Sequence, residues 1–374
     1  MLSAKNDAGQ PVDWWFAYKI SSESESSKGL KATGGEYVYY DADTAAAGGK
    51  LALSSNVMNK KEGTLYSTLS QLYGRSAKGN RSLGFWFYND ENPIKGKPKG
   101  KVVSSRGHTK GVVAFDLKSD TGFWLIQSTP LFPPAEGFSF PETGMKMAQT
   151  FLCITLHSAH TAMRIAHSMY VAQQPSVYYA SKIPKDLPKV DYRALLMQNE
   201  IDHGRTKVAL DFPFFSRGME HFRLMAKNKY WGHDLYNDWV GPRLHEDLKV
   251  ETWEHGKTPS RAESDGTHRV TAMQSVTLEP NPAYSWSESY DHAKLAISDP
   301  DEKVHWVCVG DINFTLAQEK RGGGTVAFKC DPLWKELSRI LSAAPEPKRK
   351  TASRRKSGRS TASKKRKSTS IRKK

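Results

Sequence analysis

The sequence predicts an α+β fold, of mixed α/β character, on three observations. Most apolar segments are short aromatic or β-branched runs bounded by Gly, Asn, Asp or Pro, which is typical of strands. Two segments, residues 161–174 and 332–343, instead have the apolar spacing of amphipathic helices. From residue 345 onward the chain is rich in Pro, Lys, Arg, Ser and Thr without apolar periodicity, so we expect the folded body to end at residue 344.

The first half of the chain predicts a succession of strands. Aromatic runs between polar loops occupy residues 12–20 (VDWWFAYKI), 36–40 (EYVYY) and 85–88. Residues 112–117 (VVAFDL) and 123–126 (FWLI) are separated by the turn sequence SDTG. This spacing predicts a β-hairpin.

The second half predicts a similar set of strands. Three β-branched or aromatic runs occupy residues 206–212, 249–253 and 269–278. Residues 292–297 and 304–309 form a further strand pair, joined by an Asp-Pro turn. The two halves therefore both contain an apolar hairpin whose second strand carries a tryptophan.

The net charge of +16 is concentrated at the C-terminus. Fourteen of the 55 Lys and Arg lie in residues 348–374, which hold no acidic residue, so the body carries 41 basic residues against 39 acidic ones. This basic tail, residues 345–374, is compatible with a solvated tail, a nuclear import signal at Lys364-Lys365-Arg366-Lys367 or a sequence-independent DNA arm. We favour the DNA arm, because fourteen cations bind the phosphate backbone strongly at low salt.

Hydropathy and cysteine content bear on the compartment. No run approaches the ~18 apolar residues of a membrane span, and residues 1–10 lack the apolar core of a signal peptide. We therefore expect no membrane partner and favour an intracellular location. The cysteines Cys153, Cys308 and Cys330 allow either one Cys308–Cys330 bridge or three buried thiols in a reducing compartment.

Two short motifs carry the chemistry, His108-x-Lys110 and His292-x-Lys294. Each stands at the start of a predicted strand, where alternation places His and Lys on one face. Cleavage of a phosphodiester needs a nucleophile, a proton donor for the leaving oxygen and positive charge on the phosphoryl oxygens. Two histidines and two lysines supply all of these without a metal or a cofactor.

Four further residues are candidates for supporting roles. Asp116 and Asp299 follow the two motifs at similar spacing, and either is equally well explained as a turn or surface carboxylate. Ser128 and Asn313 follow the second strand of each pair, where Asn313 belongs to the sequence GDIN. His-x-Lys, a spaced Asp and Gly-x-x-Asn together resemble the signature of the phospholipase D superfamily.

A closer resemblance covers residues 10–340. Residues 106–112 (RGHTKGV), 122–134 (GFWLIQSTPLFPP) and 321–325 (RGGGT) resemble the deoxyribonuclease II family of acid nucleases. So do VDWW with YK near the N-terminus and residues 231–240 (WGHDLYNDWV). The sequence departs from the animal members, which enter the secretory route and carry several disulfides, so a lysosomal role is not transferred.

The resemblance implies two duplicated phospholipase D-like halves, each with a mixed β-sheet flanked by helices, and an active site between them. We place the halves at residues 1–185, with the first motif, and 186–344, with the second, followed by the disordered basic tail at 345–374. A connector at residues 184–188 (PKDLP), with lysines at and beside it (Lys182, Lys185 and Lys189), supports this boundary.

The resemblance also implies metal-independent endonucleolysis of double-stranded DNA at acid pH, with 3′-phosphate ends and a phosphohistidine intermediate. By analogy His108 is the nucleophile and His292 the general acid, and the reverse assignment stays open. Two imidazoles beside two lysines titrate as a coupled set, and the cationic neighbours lower their pKa values. We therefore expect the competent protonation state to peak below pH 7.

Other functions are weighed against this one. A phospholipase D-type phosphodiesterase acting on a lipid or another diester, and a non-catalytic DNA-binding protein with this fold, are the alternatives. A metal site at His157, His160 and His167 is disfavoured, because the spacing lacks the Glu of His-Glu-x-x-His. Residues 322–324 (GGG) lack the Gly-Lys-Ser/Thr of a P-loop and predict a turn or a close backbone approach. A homodimer is compatible with the sequence.

Overall fold

The computed structural model describes residues 1–26, 29, 31–74, 79–97, 99–182, 206–253, 267–278 and 284–343. The predicted connector at residues 184–188, the predicted boundary between residues 185 and 186 and the basic tail lie outside the described residues. Residues 1–343 form one compact unit.

Short strands and a few helices make up the described chain. The strands are β1 (Ala4–Lys5), β2 (Pro11–Val12), β3 (Trp14–Lys19), β4 (Glu25–Ser26), β5 (Tyr37–Asp41), β6 (Ala52–Leu53), β7 (Leu83–Asn89), β8 (Glu91–Asn92), β9 (Lys101–Val102), β10 (Lys110–Asp116), β11 (Thr121–Gln127), β12 (Gln149–Leu156), β13 (Val177–Ala180), β14 (Ala209–Phe215), β15 (His221–Lys227), β16 (Leu248–Thr252), β17 (Val270–Leu278), β18 (Tyr284–Ser287), β19 (Lys294–Ser298), β20 (Trp306–Gly310), β21 (Gly323–Lys329) and β22 (Leu341–Ala343). The α-helices are α1 (Ala42–Ala46), α2 (Gly63–Leu69), α3 (Thr143–Lys146), α4 (Ala159–Ser168), α5 (Gly241–Leu244) and α6 (Asp331–Ile340). Single 3₁₀ or π turns cover Ser70–Leu72, Met169–Gln173, Tyr236–Val240, Glu288–Tyr290 and Leu316–Lys320.

Two large sheets organise these elements. The first has the order β13-β7-β10-β11-β12-β3-β5-β6, and the second has the order β14-β15-β21-β20-β19-β16-β17-β18-β4, with β22 pairing to β17. Among the described strands every pair is antiparallel except β16–β17. The predicted α+β class is confirmed.

The two sheets pack face to face on a shared aromatic core. Trp14 of the first sheet meets Phe328 of the second with ring centroids 5.2 Å apart, and Trp124 meets Phe214 at 5.9 Å. Trp15, the neighbour of Trp14, is buried in a separate cluster on the outer face of its sheet. Strands buried on both faces read as continuous apolar runs, which is why VDWWFAYKI lacks a polar alternation.

The predicted helices form with altered ends. Helix α4 begins at Ala159, where Ser158 caps it by accepting a hydrogen bond from the Thr161 amide at 3.3 Å. At its C-terminal end α4 passes into the π turn at Met169–Gln173. The helix predicted over residues 332–343 forms as α6, which ends at Ile340, and the chain continues as strand β22. In the described part of the chain, no helix is long and apolar enough to cross a membrane.

The same order of strands surrounds both motifs. In the first sheet β7-β10-β11-β12-β3 are neighbours, and in the second β16-β19-β20-β21-β15 are neighbours, with His-x-Lys at the start of β10 and of β19. The last strand of each set ends in a buried lysine, Lys19 or Lys227. Lys19 pairs in register with Gln149 and Lys227 with Gly323, the first residues of β12 and β21.

The structure decides between the disulfide and the free thiols that the sequence left open. Cys153, Cys308 and Cys330 are all buried free thiols. Burial raises the pKa of Cys308 to about 12, so this group is a neutral thiol at physiological pH. The three cysteines therefore contribute apolar packing and no cross-link.

Candidate active site

The two His-x-Lys motifs meet where the sheets face each other, and each is held by the opposite sheet. The backbone N–H of His108 donates to the carbonyl of Gly322, just before β21, at 2.8 Å. The backbone N–H of His292 donates to the carbonyl of Ala148, just before β12, at 2.9 Å. Gly322 and Ala148 each lie one residue before corresponding strands, β21 and β12. Each sheet therefore binds the histidine of the other sheet through an equivalent carbonyl.

Further bonds across the sheets fix both lysine positions. The Lys110 amide donates to Asp311 Oδ1 at 3.4 Å, and Asp311 follows β20 of the second sheet. The Lys294 amide donates to Thr150 Oγ1 at 3.3 Å, and Thr150 lies in β12 of the first sheet. The alternation predicted from His-x-Lys thus places all four side chains in one region.

Close backbone packing explains two of the glycines. A Cβ on Gly107 would lie 2.0 Å from the carbonyl oxygen of Gln173, and a Cβ on Gly322 would lie 2.5 Å from the same oxygen. Only glycine permits this approach. The structure therefore confirms a close backbone approach at Gly322, whereas Gly323 and Gly324 lie within β21.

The first motif sits in an ionic network centred on Asp90. This buried carboxylate pairs with the Lys110 ammonium, accepts from Arg321 Nη2 at 3.1 Å and lies 3.9 Å from His108 Nε2. Burial opposes its ionisation, but the neighbouring cations hold the pKa of Asp90 well below its usual range. Asp90 therefore stays charged and compensates Lys110.

The second motif is held through Asp291, the residue before His292. The buried Asp291 carboxylate accepts from the Tyr18 hydroxyl, from Trp286 Nε1 at 2.7 Å and from the Ala293 amide at 2.7 Å. The Lys294 ammonium donates back to the His292 carbonyl at 2.5 Å.

The histidine rings have different partners. His108 Nδ1 lies 2.6 Å from the backbone carbonyl oxygen of Asp311. Because a carbonyl only accepts, Nδ1 carries the proton and Nε2 of neutral His108 presents a lone pair. The His292 ring instead packs edge-on against Trp253, with centroids 4.8 Å apart.

Burial and mutual repulsion of the cations shift the pKa values in the site. Burial lowers the pKa of His108 from 6.5 to about 3, and the Lys110 charge adds to this shift. Burial lowers the pKa of His292 from 6.5 to about 2, and the Lys294 charge adds to this shift. The pKa of Lys294 falls to about 7 because of its burial and its Lys110 neighbour. Without a bound anion, both imidazoles are neutral at pH 7.

The other predicted site residues divide into two groups. Ser128 lies close to the site: its hydroxyl donates to Gln149 Oε1 at 2.6 Å and accepts from the Thr150 amide at 3.0 Å. Asn313 is buried, and among the described residues its side-chain oxygen has no hydrogen-bond partner.

The structure does not bring Asp116 and Asp299 to the His-x-Lys site. Asp116 lies at the end of β10 that is distant from His108, and it accepts hydrogen bonds from Ser82, just before β7, and from Ser119 in the hairpin turn. Asp299 follows β19 and accepts from the Asp301 amide at 3.3 Å. Both have the contacts of turn carboxylates, the alternative that the sequence left open.

Sequence reasoning missed the acidic residues that hold the motifs. Asp291 adjoins His292, and Asp90 directly follows the aromatic strand β7, so both stand where a strand enters or leaves the site.

His157 and His160 are exposed at the start of α4. Within the described residues, no group of three or more His, Cys, Asp or Glu side chains has an arrangement able to hold a metal ion.

Comparison with known proteins adds independent information. The family model Deoxyribonuclease II matches residues 3–346. A Burkholderia pseudomallei (strain K96243) protein named as a deoxyribonuclease-2 is 39% identical over 349 residues, covering 92% of this chain and 94% of that protein. Cell-death-related nuclease 7 of Caenorhabditis elegans is 32% identical, covering 89% and 84%, and human deoxyribonuclease-2-beta is 31% identical, covering 89% and 87%.

Proposed function

This chain belongs to the deoxyribonuclease II family, and from that premise we propose that it is a metal-independent endonuclease that hydrolyses DNA through a phosphohistidine intermediate. Its membership makes it a deoxyribonuclease-II-like nuclease. The observation that carries the finer proposal is the convergence of two histidines and two lysines from separate sheets on one region.

In the first step His108 Nε2 attacks the phosphorus and the bond from phosphorus to the 5′-oxygen breaks. His292, protonated, transfers its proton to that oxygen, so one strand leaves with a 5′-hydroxyl. The other strand stays attached to Nε2 through its 3′-phosphoryl group. The Nδ1–H bond to Asp311 supports this choice, because it leaves Nε2 free to attack.

In the second step a water molecule attacks the phosphohistidine. His292, now neutral, takes the proton of the water, and the bond between phosphorus and Nε2 breaks. The product carries a 3′-phosphate, and both histidines return to their starting states. Exchange of nucleophile and acid between the histidines is the alternative assignment.

Positively charged side chains stabilise the negative charge on the phosphoryl oxygens in both steps. Lys110 and Lys294 are buried beside the histidines, where Coulomb interactions are stronger than in water. Arg321 shares Asp90 with Lys110. A bound phosphodiester anion would offset the repulsion among these cations and raise the histidine pKa values toward working pH.

A duplicated, phospholipase D-like architecture accounts for the site. The two strand sets share their neighbour order and chain order, and the His-x-Lys and the terminal lysine take corresponding positions in each. Division of the chain into related halves at residues 1–185 and 186–344 fits this correspondence, and the active site then lies between the halves.

The direct test is plasmid cleavage in the presence of EDTA. We expect the protein to nick and linearise plasmid DNA under these conditions, and His108→Ala to lower the rate at least about a thousandfold. His160→Ala, which alters an exposed histidine of α4, is the control and should keep full activity. Cleavage of a chromogenic phosphodiester without plasmid cleavage would favour the phospholipase D-type alternative, and DNA binding without cleavage of either would favour a binding protein.

The rate should depend on pH with an acid optimum. Above the histidine pKa values the protonated fraction of His292 falls tenfold per pH unit, so kcat/KM should fall with rising pH. Above about pH 7 the fall should steepen, because Lys294 then loses its proton. A profile of kcat/KM that is level from pH 4 to pH 9 would contradict the proposal.

A substrate with sulfur in place of the bridging 5′-oxygen separates the two histidine roles. A thiolate leaves without protonation, so in a single turnover His292→Asn should release the leaving strand of normal DNA about 10² to 10⁴-fold more slowly than the wild type, with a much smaller loss on the sulfur-bridged substrate. Hydrolysis of the phosphohistidine, which also uses His292, does not enter this readout. His108→Asn should be inactive on both, because it lacks the nucleophile. The opposite pattern would assign the nucleophile to His292.

We propose that the basic tail holds DNA without sequence preference. Deletion of residues 345–374 should raise KM for long DNA at low salt and leave kcat unchanged, and log KM should depend less steeply on log salt. The matched control replaces every Lys and Arg of the tail by Gln at unchanged length and should behave like the deletion. An unaltered KM in both variants would rule out the tail as a DNA arm.

A further inference from the structure

In the part of the chain that the structure describes, two lysines outside the His-x-Lys motifs are completely buried. Lys19 ends β3 and Lys227 ends β15, and both have no exposed surface. A buried ammonium is costly, and burial lowers the pKa of Lys19 to about 7 and that of Lys227 to about 8. An apolar side chain of similar length would fill the same space without this cost.

Each ammonium group donates all three of its hydrogen bonds to backbone carbonyls. Lys19 Nζ bonds the carbonyl oxygens of Ile20 at 3.0 Å, Gly34 at 2.8 Å and Met145 at 3.3 Å. An ammonium has three donors, so this coordination is complete.

Lys227 repeats the arrangement in the second sheet. Its Nζ bonds the carbonyl oxygens of Gln318 at 3.0 Å, Glu319 at 2.9 Å and Arg321 at 2.8 Å. Three carbonyl dipoles that point at one position repel each other, and a central cation turns that repulsion into attraction.

The segments bound in this way carry the carbonyls that hold the catalytic histidines. Met145 lies three residues before Ala148, which accepts the His292 amide. Arg321 lies directly before Gly322, which accepts the His108 amide. Each buried lysine thus binds a segment of its own sheet that carries, within three residues, the carbonyl acceptor for the histidine of the other sheet.

We propose that Lys19 and Lys227 are positioning residues for the two proposed catalytic histidines, Lys19 for His292 and Lys227 for His108. The inference rests on the proposed function for its kinetic consequence, whereas its structural consequence is independent of any activity. Neither lysine touches the reacting phosphate in this assignment. Their effect is the placement of two backbone carbonyls, and through these the placement of the imidazole rings.

The structural consequence is tested by amide hydrogen exchange of the full chain. Lys227→Met should accelerate exchange of the His108 amide at least about tenfold and leave the His292 amide unchanged, and Lys19→Met should do the reverse. Each variant is therefore the control for the other. Lys19→Gln and Lys227→Gln, which keep two of the three donors, should give smaller changes and serve where a methionine variant fails to fold. Unchanged exchange at both histidines in the folded variants would overturn the proposal.

The kinetic consequence is a lower kcat at nearly constant KM, because a misplacement of about 1 Å costs about a hundredfold in rate. In single-turnover release of the leaving strand from the sulfur-bridged substrate, Lys19→Met should recover most of its rate and Lys227→Met should not. Leu337→Ala, in the core of α6, is a destabilised control that should lower the urea midpoint and spare kcat. Kinetic effects like those of Leu337→Ala would overturn the positioning role. If the wild-type protein cleaves no DNA while the lysine variants show the expected amide exchange at His108 and His292, only the proposed function is contradicted.

Discussion

The reciprocal pair of backbone hydrogen bonds between the sheets is the constraint on which the site depends. His108, on the first sheet, is bound to a carbonyl of the second, and His292, on the second, is bound to a carbonyl of the first. Neither sheet by itself contains a complete site. Formation of the site therefore requires the aromatic core between the sheets, where Trp14 packs on Phe328. The geometry of the candidate site therefore depends on the packing of one sheet against the other.

The packing of the two sheets also brings charged side chains together in a region that is buried from solvent. Lys110, Lys294 and Asp90 are all buried, and ions in such surroundings cost several kcal/mol each unless they are paired. Asp90 pairs with Lys110, but the pKa values of both imidazoles are depressed, first by burial and then by the charges of the neighbouring lysines. In the proposed function, the negative charge of a phosphodiester would offset the repulsion among these cations.

Much of this organisation could be predicted from the sequence. Aromatic and β-branched runs located β3, β5, β7, β10 and β11 closely, because strand residues buried on both faces give an unbroken apolar signal. The His-x-Lys spacing identified the four side chains that the structure brings together. The strand β21 was missed because its glycines read as a turn, and Asp90 and Asp291 were missed because their partners, Lys110 and Tyr18, are distant in sequence or on another strand. Contacts of this kind depend on sheet order, which local patterns do not encode.

The repeated strand order carries two different histidine environments. Ser128 and Asp311 each follow the hairpin partner of a motif strand. Asp311 accepts from the Nδ1 of His108 through its carbonyl, whereas Ser128 bonds within its own sheet to Gln149. Nδ1 of His108 is therefore committed as a donor, while the ring of His292 rests on Trp253. The two rings therefore differ in their contacts, which fits the proposal that one acts as nucleophile and the other as acid. The repeated strand order brings the two histidines and two lysines together, and the residues that differ between the two strand sets give each histidine its own environment.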